Sequence, residues 1–190
     1  MKLVTTLKNL KDAGLLGRST LSVILCKSLN QDIKKPDLNT EVSLRFILEN
    51  NGLHDAMLAL RCFPEIEKEY LWYTLLCAER VSHLFDDNKN IKLLNVFRKY
   101  LNGKATLDEA IKAKKDTERW KKIQEGIDKG LVIWSKEDDL NDQITSLTWF
   151  ILCETIRKSE SKDMENELLR LIDCYERGKK YVIKKRKNGY

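Results

Sequence analysis

Proline and glycine are scarce in this chain of 190 residues, which has two prolines, Pro36 and Pro64, and eight glycines. So little punctuation argues against a loop-rich chain and predicts long elements. Histidine is scarcer still, with only His54 and His83. The five cysteines, Cys26, Cys62, Cys77, Cys153 and Cys174, are odd in number, and no two lie close in sequence. They read as free thiols, mostly buried in helical segments, in a reducing compartment. With no CxxC and no Cys/His ligand spacing, no metal centre is expected. The chain also lacks a P-loop, GxGxxG, GxSxG and HExxH, so no cofactor and no catalytic residue is expected. Nor is there an uncharged stretch of about 18 residues to span a membrane. The first residues, MKLVTTLKNLKDAGLLGRS, carry charge at every turn and do not read as a signal peptide. The expectation is a cytoplasmic protein with no membrane partner.

What the chain does have is helical periodicity. With 42% hydrophobic and 34% charged residues, it is globular in composition. The pattern predicts helices near 2–12 and 19–31, a break at KKPDLNT, and a third helix capped by Asn39 or Thr40 and running to Asn50. Asn51-Gly52 suits a C-terminal cap, and a further helix follows near 53–62. From Tyr70 to Ala78 no charge occurs in any direction around the wheel. That makes the helix near 65–85 the enclosed centre. Helices near 89–101, from a Thr106/Glu109 capping box to about 129, near 138–158, and from 162 into the C-terminal tail complete the set. The fold class expected is all-α: a single compact bundle of eight or nine helices over residues 1–178, with a basic tail at 179–190.

The polar residues of the central stretch, YTLLCAERVSHLFD at 73–86, pose the main chemical question. Cys77 and His83 are six positions apart, which leaves them about 120° out of line and about 9 Å apart along a helix. They do not form a nucleophile pair within one helix. Glu79 and His83 have i,i+4 spacing and would touch on a continuous helix. Arg61, Glu69, Glu79, Arg80 and His83 therefore read as a structural polar cluster, since a charge entering a core requires a partner. A reactive centre built on Cys77, Glu79 or His83 is the rival reading.

Two charged segments lie elsewhere. Glu137, Asp138, Asp139 and Asp142 put four carboxylates within six residues. They suit the first turn of a helix, or a patch that meets a basic protein partner. The tail KKYVIKKRKNGY holds six basic residues, Lys179, Lys180, Lys184, Lys185, Arg186 and Lys187, and no acidic one. Removing these six charges from the net +6 leaves residues 1–178 neutral overall. The tail is either a solvated helix end or a contact for the phosphates of a nucleic acid.

Residues 52–110 resemble a bacterial family of immunity proteins found with polymorphic toxin systems. The resemblance rests on Gly52-Leu53-His54-Asp55-Ala56-Met57-Leu58-Ala59-Leu60-Arg61, then Glu69, Cys77-Ala78-Glu79-Arg80-Val81 and Leu84-Phe85. Lys92–Leu101, Gly103 and Ala105–Ala113 stand where the family has its next helix, a glycine linker and an alanine-rich helix. His54 occupies a position that is usually acidic in the family, and the last of these helices is lysine-rich here. The resemblance implies an all-α protein that binds and blocks a toxin without catalysis. A mobile-element inhibitor of a defence nuclease is the alternative on the same scaffold.

Overall fold

The computed structural model describes residues 2–16, 20–129, 140–158 and 162–182. Among them the fold is all-α, with nine α-helices and one two-stranded sheet. The chain falls into two compact units. The first comprises residues 1–73 and 161–190, the second residues 74–160.

The first unit opens on a strand, β1 (Val4–Thr6), where periodicity predicts helix. Three consecutive β-branched residues, Val4, Thr5 and Thr6, favour the extended backbone. β1 pairs antiparallel with β2 (Glu41–Ser43), matching Val4 to Ser43, Thr5 to Val42 and Thr6 to Glu41. Each strand hands over to a helix through its own side chain. Thr6 accepts from the Asn9 amide at 3.2 Å to start α1 (Leu7–Asp12), and Ser43 accepts from the Phe46 amide at 3.1 Å to start α3 (Leu44–Ala59). Ser43, rather than the expected Asn39 or Thr40, is therefore the cap. α2 (Thr20–Ser28) lies between them in sequence and packs on α3.

Gly52, at φ 84°, breaks the helical path inside α3, where Asn51-Gly52 predicts a stop. The left-handed region is open to glycine at little cost. A 3-10 turn follows at Leu60–Cys62, then a second at Pro64–Ile66 that leads into α4 (Glu67–Arg80). The boundary between the units falls within α4, after Tyr73. Its residues are enclosed on both sides of that boundary: Tyr70, Leu71 and Tyr73 in the first unit, and Thr74, Leu75, Cys77 and Ala78 in the second. α9 (Lys162–Glu176) returns to the first unit and packs on α3. Met164, Leu168, Leu171 and Ile172 bury its inner face. Buried Leu3, Leu7, Leu10, Leu44, Ile47 and Phe63 complete this core. Each such side chain contributes about 1.5–3 kcal/mol by leaving water.

In the second unit α4 ends at Arg80, and a 3-10 turn at Ser82–Leu84 replaces its expected continuation to 85. α5 (Asn88–Leu101) lies within a residue of its predicted span. Asp87 caps its start, and Gly103, at φ 69°, closes its end. Thr106 and Glu109 form the predicted capping box in full: the Glu109 amide donates to Thr106 Oγ1 at 3.2 Å, and the Thr106 amide donates to Glu109 Oε2 at 2.7 Å. The helix they start is shorter than expected. α6 (Leu107–Lys115) stops at Asp116, and α7 (Glu118–Asp128) restarts from Thr117, whose hydroxyl accepts from the Trp120 amide at 3.3 Å. α8 (Leu140–Lys158) packs on α6, and α6 packs on α5.

Candidate functional site

The residues expected to form one polar cluster have separate local partners. In the first unit, the Arg61 guanidinium donates to the carbonyl of Ala13, which ties the turn after α3 to the end of α1. Glu69 is half-buried on the first turn of α4. In the second unit, Glu79 pairs with Arg98 of α5, whose Nε donates to Glu79 Oε1 at 2.8 Å. Arg80 is half-buried, and its Nη1 is enclosed without a hydrogen bond among the described residues. The i,i+4 relation of Glu79 and His83 is lost because α4 ends at Arg80, and His83 is exposed on the following turn. Cys77 is fully enclosed, at 0% exposure. The three residue types that suggested a reactive centre thus have different surroundings: a core thiol, an inter-helix carboxylate and a surface imidazole.

The second unit also holds a group that the sequence does not advertise. The Arg119 guanidinium pairs with Glu154, which is only 6% exposed, and sits 5.8 Å from the Phe150 ring. Trp120 meets Phe150 edge-on at 6.3 Å, and the Lys114 ammonium lies 4.4 Å over the Trp120 ring. The ring's negative face attracts that cation, which is only 2% exposed. Trp120 is half-buried between these two partners. Ala110, Ala113 and Thr117 mark a buried stripe at helical spacing, and Lys114 stands on it. That position was the legible sign of a buried lysine. Ala78, Phe85, Asn90, Leu93, Leu94, Ile151 and Glu154 line a cavity of about 10 Å³, room for one water.

The first unit holds its own polar groups. Arg45 joins α3 to α9 through Asp173, at 2.6 Å, and Glu176, at 2.9 Å, and both carboxylates raise the guanidinium pKa. At the Gly52 break, buried Asp55 lies 3.0 Å from His54 Nδ1 and accepts from Asn51 Nδ2 at 3.1 Å. Burial pushes the Tyr70 phenol up to about 12 and the Cys62 thiol up to about 11, and Arg61 only partly offsets the latter shift. Burial, then Asp32, likewise raises Cys26. Thiols shifted this way remain protonated at neutral pH and are poor nucleophiles.

Of the acidic patch, Glu137, Asp138 and Asp139 lie outside the described residues, and Asp142 falls within the span of α8. Of the basic tail, Lys179 and Lys180 are exposed just beyond α9, while Lys184, Lys185, Arg186 and Lys187 lie outside the described residues. Among the described residues no group of His, Cys, Asp and Glu is arranged to hold a metal ion, and no helix is long and apolar enough to cross a membrane. Compared with family models, with curated proteins and with solved structures, the chain matches none.

Proposed function

We propose that this chain is a non-enzymatic, cytoplasmic binding protein that inhibits another protein by covering its working surface. The resemblance at residues 52–110 gives the partner class as a toxin, with a defence nuclease as the alternative target on the same scaffold. One observation carries this reading: Cys77 is sealed in the core, Glu79 is paired with Arg98, and His83 faces solvent. The residues that could have made a reaction centre are used as packing and inter-helix bonding. Recognition then falls to the outer surface, where a few well-packed anchors carry most of the affinity of such complexes.

The test is neutralisation by stoichiometry. Cells that express a toxin encoded beside this chain should regain growth when the chain is co-expressed, and the two proteins should co-elute as a complex of fixed ratio. Protection by far less than one equivalent of the chain, or no complex and no protection, contradicts the proposal.

A second reading is favoured by the exposure of Lys179 and Lys180 at the start of the basic tail. Here the tail neutralises nucleic-acid phosphates. Duplex DNA and RNA should then bind with a steep salt dependence that disappears when the tail lysines and Arg186 are replaced by glutamine. Salt-insensitive binding, or none, removes this reading.

A further inference from the structure

The chain does not continue as a helix into its basic end. α9 stops at Glu176, and Gly178, at φ 62°, reverses the path. The Gly178 amide donates to the Tyr175 carbonyl at 2.9 Å, and the Lys179 amide donates to the Cys174 carbonyl at 2.7 Å. This double closure is the usual glycine end of a helix. Beyond it the chain meets its own helix again. The Tyr181 hydroxyl donates to Glu167 Oε1 at 2.6 Å, and the Arg170 guanidinium lies 4.6 Å from the Tyr181 ring. The same guanidinium donates to the Val182 carbonyl at 2.9 Å and pairs with Glu167, its Nε lying 3.2 Å from Oε2. Glu167 is only 9% exposed, whereas Lys179 and Lys180 are exposed.

The distances set the direction of the segment. Glu167 and Gly178 are eleven positions apart, about 16 Å along a helix. The three residues from Gly178 to Tyr181 reach at most about 10 Å when extended. The segment therefore runs back along α9, and the tyrosine and glutamate side chains close the remaining gap.

We propose that residues 179–182 form a strap, latched to α9 by Tyr181 on Glu167 and Arg170, that covers the Glu167 carboxylate and fixes where the basic end of the chain leaves the helix. The hydroxyl supplies a charge-assisted bond, and the ring offers its face to Arg170. The latch is independent of the proposed inhibition, since it concerns only how this segment is held.

Trypsin reads the latch directly, because cleavage after Lys179 and Lys180 requires the strap to leave α9. In the full chain, the rate of cleavage at these two sites is measured by intact mass and divided by the rate after Arg186 in the same sample. Tyr181→Phe keeps the ring and loses the hydroxyl, and should raise the ratio by about tenfold or more, the worth of a hydrogen bond to a charged group. Tyr181→Ala should raise it further. Tyr181→Phe combined with Glu167→Gln should show less than the product of the two single effects, because the first removes the bond that the second weakens by taking away the acceptor's charge. A ratio unchanged in Tyr181→Phe, or single effects that simply multiply, overturns the latch. Because the ratio is internal to each sample, a variant that unfolds globally is recognised by cleavage throughout α9.

Discussion

Tyr73 offers a way to separate, at one position, the worth of a buried ring from that of a buried hydrogen bond. Its side chain is fully enclosed, and its hydroxyl donates to the Met164 carbonyl on the first turn of α9 at 3.0 Å. Tyr73→Phe removes only the hydroxyl. The Met164 carbonyl sits inside a helix, where it can also accept the amide four residues on, so no acceptor is stranded. The expected cost is about 1 kcal/mol. Tyr73→Ala deletes the ring as well and leaves a void, for about 3–5 kcal/mol. For a chain of 190 residues, each kcal/mol moves Tm by about 2–4 °C. Differential scanning calorimetry should therefore show a drop of about 2–4 °C for the phenylalanine variant and at least about 6 °C for the alanine variant. Urea midpoints should rank the variants in the same order. An alanine variant that melts with the wild type would mean that α4 is not enclosed at Tyr73. A phenylalanine variant as damaged as the alanine one would mean that the hydroxyl, not the ring, anchors the position.

Glu79→Gln should cost under about 1 kcal/mol, because its partner Arg98 is half-exposed and such pairs are weak; a loss several times larger in urea unfolding would show a deeper role for this carboxylate. Glu109 should give a pH signature. The Thr106 amide and hydroxyl hold its carboxyl below the ordinary carboxylate pKa, so the ionised form is favoured on folding. Its stabilisation is complete at neutral pH, begins to fade as pH falls through the unfolded value near 4.3, and is gone below the lower folded value. Thermal melts at neutral and acid pH should show Glu109→Gln losing less stability on acidification than the wild type, and an equal or greater loss counts against the capping role.

Much of the fold was written in local patterns. The capping box at Thr106 and Glu109, the glycine stop after α5, the break at Gly52 and the unbroken apolar surface from Tyr70 to Ala78 were all legible, and each depends on neighbours within a few residues. What escaped depends on distant ones. β1 and β2 are three residues each and meet across more than thirty positions, too short for alternation to register. The division of α6 from α7 turns on the hydroxyl of Thr117, with no proline or glycine to announce it. The end of α9 was marked by Gly178, but the lysines beyond it also suit a helix terminus, and the return of Tyr181 to Glu167 is a tertiary contact. The partners of the five polar residues expected to form one cluster were not legible. Arg98 and the Ala13 carbonyl lie nineteen and forty-eight positions from the residues they serve.

Alkylation of the thiols of the native protein at about pH 8, followed by peptide mass spectrometry, bears most directly on whether the stretch from Cys77 to His83 is packing or chemistry. If it is packing, Cys77 should stay unmodified for as long as the protein stays folded, and should react as fast as any other thiol once denaturant is added. Native Cys77 that reacts at least as fast as half-buried Cys174 would mean an open, reactive thiol and would contradict the packing account.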